Sequence, residues 1–190
     1  PHLDVLGLGL DFSSRLELPD LLGDGPRTLF YPGSSIGNFT PAEALTFLRQ
    51  AHSACQGGAL LIGVDLVKPT QILESAYDDP LGVTAAFNRN LLPHINRLAG
   101  TDFALADWRH VALFNTALSR IEMHLEAQRA LTVRWPGGVR AFAAGERIHT
   151  ENSYKWTMAG FETLLQDAGF HGARAWTDPQ QRFAVYWAAR

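Results

Sequence analysis

Residues 28–67 have the pattern of a strand, a helix and a second strand, and this pattern constrains the fold more than any other part of the chain. The apolar stretch Thr28–Tyr31 leads into a glycine-containing turn. Residues 40–43, TPAE, mark a helix start, with threonine at the N-cap, proline at the first helical position and glutamate reaching back to the cap. Two glycines at 57–58 end the helix, and residues 59–67 are a continuous apolar run typical of a buried strand.

Similar patterns on both sides of this unit predict further elements. Residues 5–10 form another continuous apolar run, which predicts a buried strand. Residues 70–107 are predicted to be helical, and from Val111 onward the apolar residues recur with a period of two, which predicts strands. A last helix begins at or near Thr157. The predicted strands after Val111 are residues 119–126, 131–135, 139–143, 173–176 and 183–187.

These elements predict an α/β fold in which a mostly parallel sheet carries a second lobe. A strand, a helix and a strand lie at each end of the chain, and an insertion separates them. In such sheets, ligands bind beyond the carboxyl ends of the strands. Asp11, Phe12, residues 33–38 and Asp65 all lie at predicted strand ends. We therefore expect a small-molecule site at this edge of the sheet.

The composition limits the classes of partner. With 16 Lys and Arg against 19 Asp and Glu, the formal net charge of −3 gives no basic surface for nucleic acid or for an anionic membrane. No apolar run approaches the ~20 residues of a membrane-spanning helix. Cys55 is the only cysteine, which excludes an intrachain disulfide and favours a cytoplasmic location. The chain opens on Pro1 and enters an apolar run almost at once, so we expect a fragment of a longer protein.

The turn at residues 33–38, GSSIGN, is the first candidate site. Its glycines would let the backbone approach a ligand, and the Asn38 amide would face a polar group of the substrate. The alternative is an ordinary strand-to-helix turn in which Asn38 bonds locally. A phosphate-binding loop has no support, because no Lys-Ser or Lys-Thr pair follows the glycines.

Residues 149–153, HTENS, are the second candidate site. In a pleated strand, Glu151 and Ser153 project from the same face. A carboxylate beside a hydroxyl can hold a ring that bears an N–H group, and the charge-assisted bond to Glu151 would be the stronger of the two. The alternative is a solvated hairpin edge.

Other side chains give weaker signals. Glu122 and His124 alternate with apolar residues and share a face, but no third ligand follows at a recognisable spacing. A structural ion pair is therefore the favoured interpretation, and no metal site is predicted. Met123 is expected in the core or in the lining of a pocket. Cys55 has no recognisable partner and is expected to be inert. No Gly-x-Ser-x-Gly motif supports a hydrolase triad.

Several blocks of sequence resemble the histidine-specific S-adenosylmethionine-dependent methyltransferases, which form hercynine (N-α-trimethylhistidine) in ergothioneine biosynthesis. The resemblance covers essentially the whole chain, in order. The blocks are residues 32–38 (PGSSIGN), 76–79 (AYDD), 83–88 (VTAAFN), 119–124 (SRIEMH) and 148–155 (IHTENSYK), and residues 176–179 (WTDP) are similar too.

This resemblance implies a Rossmann-like class I methyltransferase sheet with an inserted α+β substrate-binding lobe. It also implies site residues on the sheet. Asn38 would be the catalytic residue that binds the α-amino and carboxylate end of the substrate, with Gly33 and Ser35 lining the same pocket. Asp11 and Phe12 would hold the adenine of the methyl donor, S-adenosylmethionine.

Five further site residues are implied for the insertion. Tyr77 and Phe87 would line the substrate pocket. Met123, Glu151 and Ser153 would surround the imidazole of L-histidine, and the last two would form hydrogen bonds with its nitrogens.

The resemblance also implies segments that are not in these 190 residues. The family has a Gly-rich donor-binding loop, an acidic residue for the ribose and N-terminal tyrosines that complete the substrate pocket. If residues 5–10 are the third strand of the usual 3-2-1-4-5-7-6 order, the first two strands are missing. The sheet would then have unpaired edges. We expect the chain alone to bind the donor poorly, to be marginally stable, and to be inactive or oligomeric.

The predicted organisation has three parts. Residues 1–70 would form the C-terminal half of the core sheet, residues 71–156 the inserted substrate-recognition lobe, and residues 157–190 the final helix and strands of the core. The implied activity is trimethylation of the α-amino group of L-histidine. Two alternatives remain open, namely a related methyltransferase acting on tryptophan or another amino acid, and a non-catalytic binding remnant. Glu151 together with Met123 favours histidine. The sequence leaves the oligomeric state open.

Overall fold

The computed structural model describes residues 4–12, 16, 18–19 and 23–190. The chain divides into two compact units, each with its own core. The first unit comprises Pro1–Leu66 and Trp156–Arg190, and the second comprises Val67–Lys155. Among the described residues, none of the helices combines the length and the apolar character that a membrane span needs.

Strands and helices alternate over residues 28–65 in the first unit, whereas three successive α-helices precede the strands of the second unit. The described strands are β1 (Thr28–Tyr31), β2 (Ala59–Asp65), β3 (Trp108–Asn115), β4 (Arg120–Ala127), β5 (Leu131–Trp135), β6 (Gly138–Phe142), β7 (Arg147–Tyr154), β8 (His171–Thr177) and β9 (Phe183–Ala189). The described α-helices are α1 (Pro41–Cys55), α2 (Thr70–Tyr77), α3 (Val83–Arg89), α4 (Leu91–Ala99) and α5 (Met158–Asp167). Short 3-10 turns lie at Ser35–Asn38 and Leu105–Asp107.

The sheet of the first unit has the strand order β1-β2-β9-β8. β1 and β2 are parallel, whereas β9 runs antiparallel to both β2 and β8. This order corresponds to the 4-5-7-6 half of the sheet that the resemblance implies, and the α/β fold is confirmed. The described strands fit the expectation of a mostly parallel sheet. β1, β2 and β8 run in the same direction, and β9, which lies between β2 and β8, is the one described strand of this sheet that runs the other way.

Helix α1 begins where the sequence predicts. Thr40 Oγ1 accepts a hydrogen bond from the Glu43 backbone N–H at 3.3 Å, and Glu43 Oε2 accepts one from the Thr40 backbone N–H at 2.8 Å. The predicted capping box is therefore confirmed, with Pro41 as the first helical residue. The buried face of α1 packs with β2, β9 and α5 into one core. Its α1 and α5 members are Ala44, Phe47, Leu48, Ala51, Cys55, Phe161 and Leu165.

Residues 4–10 form no strand, so the expectation of a buried strand at residues 5–10 is wrong. Val5 is 89% exposed and Leu6 is 52% exposed. An apolar run forms a strand when a neighbouring strand satisfies its backbone N–H and C=O groups. β1 is the edge of the described sheet, and no described strand lies beside it to continue pairing toward residues 4–10.

The second unit contains a three-stranded antiparallel sheet of order β3-β4-β7 and a hairpin of β5 and β6. The helices predicted within residues 70–107 are confirmed as α2, α3 and α4. α2 and α3 pack against β3 and β4. One core cluster of this unit surrounds Trp108, Leu125 and Phe142. A second consists of Leu73, Ile121 and Met123, with Tyr77 and Phe114 packed against it.

Candidate functional site

The turn after β1 has an unusual backbone conformation. Ser34 has a φ of 56°, in the left-handed region that few non-glycine residues adopt. Its hydroxyl accepts a 2.8 Å hydrogen bond from the backbone N–H of Asp65 at the end of β2. Its carbonyl accepts a 2.9 Å bond from the N–H of Gly37. The carboxyl ends of β1 and β2 are thereby tied together, at the edge where α/β sheets bind ligands.

Gly33, Ser35 and Asn38 lie on this turn and are exposed. A Cβ atom built on Gly33 would meet only Ser35 Oγ, at 3.9 Å, so the backbone here is open to a ligand. Ser35 also forms a hydrogen bond with Tyr31 that opposes the rise which burial causes in the pKa of the phenol. The Asn38 amide has no hydrogen bond to another described residue. The local bond expected of an ordinary turn is therefore not formed, and this amide is available to a substrate.

Asp11 and Phe12 follow residues 4–10, and both are exposed. The Phe12 ring packs edge-on against Tyr31 and Phe47, with 6.0 Å and 6.4 Å between ring centroids. These contacts hold Phe12 beside the end of β1. A carboxylate accepts hydrogen bonds from the amino group of an adenine, and an aromatic ring covers its face. The chemistry of the pair fits the adenine of S-adenosylmethionine.

Four of the predicted pocket residues lie together in the second unit. Met123 on β4 lies opposite Glu151 on β7, and Ile121 lies opposite Ser153. Side chains at paired positions of neighbouring strands point to the same face. Met123, Glu151 and Ser153 therefore share one face, and Tyr77 from α2 packs against Ile121 and Met123.

A triangle of hydrogen bonds joins Tyr77, Ser153 and Lys155. Tyr77 Oη donates to Ser153 Oγ at 2.8 Å, and Lys155 Nζ donates to both oxygens, each at 2.8 Å. Lys155 is only 3% exposed, and its Nζ lies 4.7 Å from the centre of the Tyr77 ring, a cation–π contact. Lys155 was not among the predicted site residues. The spacing of two residues that places Glu151 and Ser153 on one face of the strand also places Lys155 there, and this spacing could have revealed Lys155.

Glu151 is half-buried on this face. Burial raises the pKa of its carboxyl, and the positive charge of Lys155 lowers that pKa to a smaller extent. A carboxylate that is partly removed from water forms a stronger hydrogen bond with a ring N–H than an exposed one does. The environment of Glu151 therefore suits recognition of a polar ring.

Phe87 lies outside this cluster. Its ring is 64% exposed on α3. Asp79 precedes α3, and its carboxylate accepts hydrogen bonds from the first backbone N–H groups of the helix, those of Thr84 at 2.8 Å and Val83 at 3.0 Å. These bonds lower the pKa of Asp79 to about 2. Asp79 thus fixes the start of the helix that presents Phe87, and the pocket role of Phe87 stays a prediction.

A bulge in β7 assembles a second polar group on the other face of the strand pair. The register of β4 and β7 shifts at Thr150, so that His149 lies opposite His124. Strict alternation would place His149 on the face of Glu151, which is why the sequence spacing revealed no third ligand beside Glu122 and His124. Side-chain ligand atoms of Glu122, His124 and His149 lie within 4.8 Å of one another.

The ion pair predicted for Glu122 is present. Arg120 Nη2 lies 2.7 Å from Glu122 Oε1, which also accepts a 3.0 Å bond from Asn115 Nδ2. Burial alone would raise the pKa of the Glu122 carboxyl, but the hydrogen bonds from Arg120 and Asn115 outweigh burial and lower it. Burial, followed by the charge of His149, lowers the pKa of His124. The group therefore combines a carboxylate with a neutral imidazole at neutral pH.

Comparison with known proteins assigns the chain to a family. Histidine-specific, S-adenosylmethionine-dependent methyltransferases match residues 1–190, the whole chain. The chain belongs to this family. Two curated relatives are named histidine N-alpha-methyltransferase. The one from Mycolicibacterium smegmatis is 41% identical over 198 residues, which cover 100% of this chain and 60% of the relative. The one from Mycobacterium tuberculosis is 42% identical over 185 residues, which cover 95% of this chain and 56% of the relative.

A further curated relative is ergothioneine biosynthesis protein 1 of Schizosaccharomyces pombe. It is 31% identical over 174 residues, which cover 89% of this chain and 22% of that protein. The chain thus spans less than two thirds of the length of the curated relatives it matches.

Proposed function

We propose that the protein trimethylates the α-amino group of L-histidine to hercynine in ergothioneine biosynthesis, with S-adenosylmethionine as methyl donor. Membership of the histidine-specific family and the names of its relatives support this proposal. The observation that carries it is the placement of Glu151 and Ser153 side by side on the face of Met123. The small-molecule substrate and the single cysteine accord with a cytoplasmic enzyme.

The hydrogen-bonding pattern of Glu151 and Ser153 matches a neutral imidazole. A serine oxygen has two lone pairs and one hydrogen. Tyr77 and Lys155 both donate to Ser153 Oγ, which occupies the lone pairs and leaves the Ser153 hydroxyl to donate. The Glu151 carboxylate can only accept. One donor beside one acceptor fits a ring that carries one N–H and one bare nitrogen.

This pattern disfavours the alternative of a tryptophan-type substrate. An indole has an N–H for Glu151 but no bare ring nitrogen for Ser153. The hydrogen of the Ser153 hydroxyl would then be buried without an acceptor, at a cost of roughly 1–3 kcal/mol. Sites built around a specific hydrogen bond reject analogues that lack it more strongly than apolar pockets reject a change in size.

Asn38 is proposed to direct the amine. When bound, S-adenosylmethionine supplies an electrophilic methyl group. Most of the catalysis of such a displacement is alignment of the lone pair of a neutral amine. The Asn38 carbonyl oxygen can accept an amine N–H and so orient that lone pair. Gly33 leaves space for the substrate to approach the turn, and Asp11 with Phe12 would hold the adenine.

The proposal is tested by assaying methyl transfer with the product of the complete reading frame. A panel of free amino acids is incubated with the protein and S-adenosylmethionine, and products are identified by mass spectrometry. Trimethylation of histidine alone would support the proposal. Absence of transfer to every amino acid, from a folded sample, would favour the non-catalytic binding module.

A double variant tests the assignment of the recognition residues. Glu151→Ala with Met123→Val removes the carboxylate acceptor and enlarges the pocket. We expect this variant to lose its preference for histidine and to accept larger aromatic amino acids. Glu162→Ala, which removes a carboxylate on α5, is the matched control and should keep the preference. Unchanged selectivity in the double variant would contradict the assigned roles.

A further inference from the structure

A second site lies on the face of β4 and β7 opposite Glu151 and Ser153. We propose that Glu122, His124 and His149 bind a divalent transition-metal cation, with Zn²⁺ as the best match. Their ligand atoms lie within 4.8 Å of one another. Two imidazoles and a carboxylate are a ligand set that zinc uses in proteins, with a further position left for water.

Glu122 offers one carboxylate oxygen to the cation. Oε1 is engaged by Arg120 Nε at 2.8 Å and by Asn115 Nδ2 at 3.0 Å. Oε2 faces the imidazole of His124, with Nε2 at 3.6 Å. Hydrogen bonds to the non-coordinating oxygen orient a metal-binding carboxylate. The ion pair with Arg120 therefore engages Oε1 and orients the carboxylate, and it leaves Oε2 for the cation.

His149 has the outer hydrogen bond that metal-binding histidines usually have. Its Nε2 lies 3.1 Å from the carbonyl oxygen of Glu151. Because a carbonyl only accepts, Nε2 carries the hydrogen and Nδ1 carries the lone pair. His149 is exposed, so its side chain can move. A tetrahedral zinc holds its ligand atoms about 3.3 Å apart, a small closure that this side chain can make.

His124 provides a second, independent indication. It is only 8% exposed, and its Nδ1 is buried without a hydrogen-bond partner among the described residues. The 3.6 Å separation of Nε2 from Glu122 Oε2 exceeds hydrogen-bonding distance. Nε2 therefore faces the Glu122 carboxylate at a spacing that a shared cation would fit, and Nδ1, on the other side of the ring, would carry the hydrogen. Its ring stacks on that of His149, with 4.7 Å between centroids and 28° between the ring planes, so the exposed His149 ring would turn out of the stack to share a cation.

Charge around the cluster is compatible with a cation. Arg147, on the same strand as His149, is paired with Glu126 at 2.7 Å. Arg120 is paired with Glu122 itself. A bound cation would cross-link β4 to β7 at the bulge. It would also restrain the backbone of Glu151, through the hydrogen bond that His149 donates to it.

The test is titration of the metal-free protein with Zn²⁺, using the complete reading frame without a histidine tag. We expect one equivalent to bind in calorimetry, and the unfolding temperature to rise with Zn²⁺ concentration because the cation binds the folded state. Co²⁺ should give the visible absorption of a tetrahedral nitrogen and oxygen site. Absence of stoichiometric Zn²⁺ binding to the folded protein would overturn the proposal.

Two variants and a control assign the binding to this cluster. His149→Ala removes an exposed ligand and should leave the fold intact, which circular dichroism checks, yet weaken Zn²⁺ binding by at least about 100-fold. Glu122→Gln should weaken it similarly. His94→Ala changes an exposed histidine on α4 and should bind like the unaltered protein. Equal affinity in His149→Ala and the unaltered protein would also overturn the proposal.

Discussion

Replacing Lys155 with methionine should reduce the preference of the protein for a ring with a bare nitrogen. Lys155 Nζ donates to Ser153 Oγ and to Tyr77 Oη, each at 2.8 Å. Methionine has similar length but no donor. One lone pair of Ser153 is then released, and its hydroxyl is no longer restricted to donating to the substrate. This prediction rests on the proposed function.

The magnitude follows from the bonds that change. A hydrogen bond between neutral groups, as between Ser153 and a ring nitrogen, contributes about 0.5–1.5 kcal/mol. Its loss lowers kcat/KM by a factor of about 2 to 13. We therefore expect a fall of about 10-fold for histidine.

The assay compares histidine with an analogue whose ring keeps the N–H but lacks the second nitrogen, such as a pyrrolylalanine. The analogue never receives the Ser153 bond, so its kcat/KM should fall less in Lys155→Met, and the ratio between the two substrates should narrow. Lys68→Met is the matched control, because Lys68 is the only other lysine in the chain. An equal fall for both substrates would show that Lys155 only supports the fold and would refute the reasoning.

Three further changes test the fold and the titration of the site. Burial raises the pKa of Glu151 in the folded protein, so ionisation of this carboxyl destabilises the fold as the pH rises through that pKa. In urea unfolding, Glu151→Gln should therefore be more stable than the unaltered protein at neutral pH, and the difference should vanish at acid pH. Gly63→Ala places a Cβ atom 1.9 Å from the Pro32 carbonyl oxygen and should cost about 1–3 kcal/mol of unfolding free energy, whereas Gly7→Ala, with no atom within 4 Å, should be neutral. Thr40→Ala removes the cap of α1 and should cost about 1 kcal/mol in the same measurement.

The parts of the fold that were predictable are those encoded by neighbouring residues. The TPAE start of α1 carries its own hydrogen-bond partners, so Thr40 and Glu43 predict the helix boundary without knowledge of the rest of the chain. The period-two segment of β5 was predictable because Leu131 and Val133 are more buried than Thr132 and Arg134, whereas β4 is buried along both faces. Likewise, the shared face of Glu151 and Ser153 follows from alternation alone.

The parts that were not predictable depend on partners distant in sequence. Residues 5–10 have the apolar composition of a strand, but a strand also needs a neighbour, and composition says nothing about whether one lies beside it. The grouping of His149 with Glu122 depends on a single register shift at Thr150. Thr150 is not a glycine or a proline, so nothing in its identity marks a bulge.

The extra residue in β7, Thr150, changes the bend of the strand without changing which side chains share a face with their partners on β4. His149 and Glu151 lie opposite neighbouring residues of β4, His124 and Met123, as if Thr150 were not counted. A deletion of Thr150 would therefore leave both side chains on their present faces and would straighten the strand by removing the local bend. A homologous chain that lacks this one residue would keep His149 and Glu151 on the same two faces of a less bent strand. A one-residue gap at this position of an alignment would therefore indicate a change in strand curvature and not the loss of either group of side chains.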